Sequence, residues 1–187
     1  MDYSAMLTFL TEDNIKRHFS YMRTLKLKYS ILEKSLPEIK GKTPLEISRM
    51  SLKKSVKSEI LPNLVSIKSH ETYFRSFTAN PAPCREIKKF YSSEDAFCYE
   101  AFTIAREFDY GFVYVIIDER GRLEIKHTST LPYVHLREEP ILALDLYEHA
   151  YFLDYGFSRD EYLRSAISHF NLSKLSARIS SPLDRSK

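Results

Sequence analysis

A chain of 187 residues with 43% hydrophobic and 28% charged residues can bury one good core, or two small domains that share one, and is too apolar to be disordered. A formal net charge of +3 draws small anions mildly. With Lys and Arg spread along the chain, and Lys53, Lys54 and Lys57 as the tightest group, it makes no case for nucleic acid. No apolar run nears membrane-spanning length and no signal-peptide pattern opens the chain. With only Cys84 and Cys98, too few for a disulfide framework or a Cys-based metal site, the expected setting is the cytoplasm, with both thiols free.

The N-terminal part reads as helical. Residues 12–35 form a long helix that Thr11 or Asp13 can cap. Ile15, His18, Phe19 and Met22, then Leu25, Tyr29 and Leu32, recur on one face. Pro37, Gly41 and Pro44 mark a connection. A second helix is expected from about Pro44 to Glu59, ending before Pro62, and a third from Asn63 to Phe77 with Ile67, His70, Phe74 and Phe77 in a stripe. Long antiparallel helices in a hairpin are the natural arrangement. Spacing alone leaves His18 and His70 as core or boundary residues on these stripes.

The stretch from Ala79 to Pro83 is the clear linker, which divides the chain into a helical hairpin domain, 1–78, and a second domain, 84–187. Beyond it a helix over 92–106 is capped by Ser93, and the β-branched and aromatic run 111–117 is a strand. The turn Asp118-Glu119-Arg120-Gly121 leads into a second strand, Leu123–His127. Ile141–Leu144 is a third, buried strand that delivers Asp145 at its carboxyl end, and His149 follows in the first turn of the next element. Ser158–His169 is an amphipathic helix, a short one runs on to about Arg178, and the tail from Ser180 is expected to fray. A carboxylate and an imidazole at a strand-to-helix corner can converge on one metal ion. The same spacing also allows Asp145 as a plain N-cap and His149 as a surface residue.

The run Asp145-Leu146-Tyr147-Glu148-His149-Ala150-Tyr151, followed by Asp154-Tyr155, resembles the iron/manganese superoxide dismutase family, whose C-terminal signature is D-x-W-E-H-A-Y and then a D/Q-Y pair. The resemblance continues through Arg159, Tyr162, Asn171 and Arg178. Upstream, Leu10–His18 aligns with the segment that carries the family's first ligand, and Ser69-His70-Glu71-Thr72-Tyr73-Phe74 aligns with its second, N-H-x-x-F/Y-W. The resemblance implies an α+β fold: an N-terminal long helical hairpin, then a C-terminal α/β domain with a three-stranded antiparallel sheet. It implies one iron or manganese ion per subunit on His18, His70, Asp145 and His149, with superoxide as the small anionic substrate. It further implies a homodimer, in which Glu148 reaches His149 of the neighbouring subunit. Three imidazoles and one carboxylate suit iron or manganese, and zinc also accepts them.

The surroundings depart from the family. Its Gln falls on Ser66 or near Leu131, its gateway Tyr on Lys26, and a His–Tyr pair across the dimer on Met22 and Phe152. Phe112, Tyr114 and Tyr147 replace pocket tryptophans, and His127 or His135 is a candidate to replace the Gln donor. Lys26, Ser66, Tyr147, Glu148 and Arg159 are therefore the residues the resemblance places around the ion. Three functions are in play: a dismutase with divergent surroundings; a metal-binding homologue of the same fold with another redox, structural or interaction role; and a fold-only scaffold such as a nucleic-acid-associated assembly subunit, which the competent side chains at all four ligand positions disfavour.

Overall fold

In a computed structural model, residues 3–118, 120–128 and 140–180 are described. Thr11 starts the first long helix, α1 (Glu12–Ser35), by accepting a hydrogen bond from the backbone N–H of Asn14, while Glu12 and Asp13 face the positive end of the helix. Its buried residues Ile15, His18, Met22, Leu25 and Tyr29 lie along one stripe. A capping box between Thr43 and Glu46, with Pro44 in the first turn, starts the short helix α2 (Pro44–Arg49).

The break between helices falls at Met50–Lys53 and not at Pro62. Helix α3 runs from Lys54 to Phe74 with Pro62 inside it. An interior proline costs about 3 kcal/mol by removing one hydrogen bond and crowding the preceding turn. Here the Asn63 side chain donates to the Glu59 carbonyl at 2.8 Å, and Ile60, Leu64 and Ile67 on either side of the proline are buried. Tertiary burial keeps the helix continuous.

Helix α4 (Glu94–Glu107) is capped by Ser93, which accepts from Ala96 N–H. The sheet follows: β1 (Phe112–Ile117), β2 (Leu123–Thr128) and β3 (Leu142–Asp145), in the order β2-β1-β3, all antiparallel. The β1–β2 turn needs Gly121 at φ 77°. There the Asp118 carboxylate accepts from the N–H groups of Arg120 and Arg122 and from the Arg122 side chain. After β3 come a single 3-10 turn (Glu148–Ala150), α5 (Phe152–Tyr155), α6 (Arg159–Ser168) and α7 (Ser173–Ser180). The third strand therefore includes Asp145 as its last residue. Leu131, His135 and the tail 181–187 lie outside the described residues.

Among the described residues, two apolar clusters form the core. The smaller lies within the hairpin, around Leu25, Ile39, Ile47, Ile60 and Ile67. The larger joins Ile15, Met22, Tyr73 and Phe74 to the sheet and to α4 and α6. Polar stitches hold this junction in register. The Ser76 hydroxyl accepts the Ala143 N–H of β3 at 2.7 Å and donates to the Thr72 carbonyl, while the Ser76 carbonyl accepts the Asn171 N–H. The Tyr155 hydroxyl donates to the Phe9 carbonyl at 2.6 Å.

Candidate metal centre

α1 carries His18 and α3 carries His70 on the faces these helices turn toward the sheet. The end of β3 carries Asp145, and the 3-10 turn carries His149. One ligand atom from each lies within 4.8 Å of all the others. Asp145 Oδ2 is at the middle: 3.2 Å from His18 Nε2, 3.2 Å from His149 Nε2 and 3.6 Å from His70 Nε2.

Asp145 and His70 are held by their other polar atoms, and His18, whose Nδ1 is buried without a partner among the described residues, by packing. Asp145 Oδ1 accepts the Tyr147 N–H at 2.9 Å, and the Asp145 carbonyl accepts the Tyr162 hydroxyl at 2.8 Å. Tyr73 and Tyr162 join through their hydroxyls at 3.2 Å, which extends that support back to α3. His70 Nδ1 lies 2.6 Å from the Ser66 carbonyl, an acceptor, so Nδ1 carries the proton and Nε2 presents its lone pair to the cluster. His18 is wedged among the rings of Tyr73 and Phe74, at 5.1 and 4.8 Å between centroids.

The donor set fits a metal ion. His18 Nε2 and Asp145 Oδ2 are fully buried, close together, and without an aligned hydrogen-bond partner among the described residues. Buried polar atoms left in that state are costly unless something else satisfies them. Burial pushes the His18 imidazole down to about 4 and lowers His70 as well. Burial opposes ionisation of Asp145, yet the imidazoles of His149 and His18 outweigh it and hold the carboxyl below the usual carboxylate range. Neutral imidazoles around an ionised carboxylate are the protonation states a divalent ion needs.

Residues 81–178 match the family of iron/manganese superoxide dismutases, C-terminal domain. The chain belongs to the iron/manganese superoxide dismutase family. It is 30% identical over 132 residues to a protein named superoxide dismutase [Fe] from Bordetella pertussis, covering 64% of this chain and 68% of that one. It is 31% identical over 105 residues to one named superoxide dismutase [Mn] from Acinetobacter baylyi, covering 53% of this chain and 46% of the relative. The helical hairpin followed by an α/β domain with a three-stranded antiparallel sheet is the family's fold, and the four converging side chains form a cluster able to hold a metal ion.

Of the residues placed around the ion by resemblance, the structure brings some close and uses others elsewhere. Tyr147 stacks on His149 at 5.6 Å between centroids and 11° between planes. Phe112 packs edge-on against His70 at 5.4 Å. Tyr114 shares a 2.6 Å hydrogen bond with Ser69 Oγ, at the position beside His70 where the family has Asn. Glu148 is exposed beside His149. Ser66 offers its carbonyl to His70. Lys26 pairs with Glu71 at 2.7 Å, and Lys68 approaches the same carboxylate at 3.4 Å, so its charge is answered on the hairpin surface. Arg159 donates to the carbonyls of Ala105 and Phe108 at the end of α4, fastening α6 to α4. His127 stacks on Phe108 at 3.6 Å and lies 2.8 Å from the Tyr110 carbonyl, so its ring is engaged away from the cluster.

Tyr21 also borders the cluster, although it is not among the site residues expected from the sequence. Its ring lies 4.7 Å from that of His149 and 5.4 Å from that of His70. The available signal was its place on the turn of α1 just after His18, where side chains three apart share a face.

Proposed function

We propose that this protein is an iron- or manganese-dependent superoxide dismutase that turns two superoxide anions and two protons into dioxygen and hydrogen peroxide. The observation that carries the reading is the convergence of His18, His70, Asp145 and His149 from four separate elements, with buried donor atoms left open at the centre. Those four would hold the ion, which when bound supplies the one-electron exchange with superoxide. The protein's part is to keep three imidazoles and one carboxylate aimed at a single point, and to keep three of these four side chains away from water. His149, with 32% of its side chain accessible, borders the route by which a small anion arrives.

A homodimer through Glu148 and His149 belongs to the same proposal. The two residues border a hollow of about 340 Å³, whose other walls are Asn14, Arg17, Phe152 and Leu153. Phe152 and Leu153 are both more than 40% exposed there, as suits a surface that a second copy covers. The division of the chain at 79–83 and a cytoplasmic setting, for which two free cysteines are suited, are proposed with it.

A second reading, a metal-binding homologue without dismutase activity, draws on Ser66 and Lys26. Neither offers the family's amide or phenol, and Lys26 is tied to Glu71. The deciding experiment is metal analysis of the purified chain followed by a superoxide assay on iron-loaded and manganese-loaded protein, with His70→Ala as the inactive control. Activity above that control supports the dismutase. Metal bound at one ion per chain with no activity establishes the second reading. Sedimentation of the protein and of Glu148→Ala tests the dimer, which is overturned if the unaltered chain runs as a monomer.

A further inference from the structure

Three of the four converging side chains are closed off from solvent. Those of His18 and Asp145 are 0% accessible and that of His70 is 1% accessible, which leaves the edge of His149 as the open side among the described residues. Two tyrosines border that edge. Tyr147 stacks on His149, and its place in the signature run ties it to the same turn. Tyr21 comes from a different element. It stands on α1 one turn beyond His18, with its ring against both His149 and His70, and the residue is 42% exposed.

An ordinary boundary tyrosine would lay its ring on core side chains. The ring contacts shown for Tyr21 are with the two imidazoles, and no hydrogen bond among the described residues fixes its hydroxyl. Because α1 also supplies His18, the helix that forms the sealed back of the cluster sets the position of the ring at its front. Lys26, further along α1, is held by Glu71 and leaves this opening to Tyr21.

We infer that Tyr21 is the access-controlling side chain of the cluster. Its ring narrows the opening beside His149 so that water and small anions pass and bulkier molecules do not, and it slows the escape of a bound ion. The inference rests on the metal-binding reading of the site and not on the dismutase reading.

The test uses the full chain loaded with iron or manganese, as Tyr21→Ala, Tyr21→Phe and the unaltered protein. Tyr99→Ala, at a 71% exposed position on α4, serves as the control. Each is mixed with excess EDTA and the loss of metal is followed in time. If the ring is the barrier, Tyr21→Ala releases metal about 10-fold faster, while Tyr21→Phe and the control stay within about 2-fold of the unaltered chain. Release from Tyr21→Ala at the unaltered rate overturns the inference. So does equal acceleration in Tyr99→Ala, which would mean general loosening. An unaltered chain that takes up no metal sinks both this inference and the proposed function. One that holds metal but lacks dismutase activity sinks only the latter, and the release rates still decide the role of Tyr21.

Discussion

Thr11 gives its backbone N–H and its hydroxyl to the two carboxylate oxygens of Asp154, at 2.8 and 2.6 Å. The same hydroxyl accepts the Asn14 N–H that opens α1. The Asp-Tyr pair at the end of the signature run therefore reaches back to fix the start of the helix that carries His18. Asp154→Ala removes both bonds and leaves the cap unsupported. It is expected to lower the unfolding free energy by about 1–2 kcal/mol, read from urea denaturation of the metal-free chain. No change in the urea midpoint would show that the cap does not need its carboxylate.

Ser76 does for the other hairpin helix what Thr11 does for the first. Its buried hydroxyl is the partner of the Ala143 N–H, and Ala143 sits two residues before Asp145. Ser76→Ala leaves that N–H buried without an acceptor, at a cost of about 1–3 kcal/mol. Amide exchange at Ala143 should quicken more than exchange at Val113 on the neighbouring strand. Equal protection in both proteins would refute this account of β3.

Removing one ligand should separate metal-linked stability from the rest. An ion that binds only the folded chain stabilises it by about 2.7 kcal/mol at 100 times its dissociation constant. Iron or manganese is therefore expected to raise the melting temperature of the unaltered protein and to leave that of His70→Ala where it was. A variant that still melts higher with metal would mean that His70 is not a ligand.

Acid should weaken the metal-free protein in a defined window. His18 titrates at about 4 when folded and near 6.5 when unfolded, because burial disfavours its charged form. As pH falls, the unfolded chain takes up this proton first. The contribution is complete above about 6.5 and is lost progressively down to about 4. Asp145 has a dependence of the same sign, placed lower on the pH scale: its carboxyl is held below its ordinary value, so its share persists through this window and fails only in stronger acid. Urea midpoints at pH 7 and pH 5 should differ, and the difference should shrink in His18→Gln. A flat profile between those pH values would remove His18 from this role.

Much of this was legible from residues alone, for reasons that can be named. Thr11 followed by Glu12 and Asp13 marks the start of α1, and the stripe from Ile15 to Tyr29 marks its buried face. The run at Asp145–Tyr151 was specific enough to place two candidate ligands at one corner. Pro62 misled because local propensity sees the missing N–H, whereas burial of Ile60, Leu64 and Ile67 against α1 and α2 is a tertiary effect. Lys26 and Arg159 were placed by position in a pattern. Their actual partners, Glu71 and the carbonyls that close α4, lie in other elements and leave no mark at their own positions. Tyr21 escaped because no pattern points at it. Its meaning depends on how α1 is rotated over the 3-10 turn at His149.

The candidate ligands are divided along the chain, with His18 and His70 in the first half and Asp145 and His149 near its end. During synthesis the helical hairpin leaves the ribosome well before the corner that completes the cluster. An ion offered to the growing polypeptide meets only two imidazoles on helices that still lack the sheet they pack against. The four-residue cluster thus assembles only once residues 145–149 have been made, and a product that stops before Asp145 lacks two of its four members.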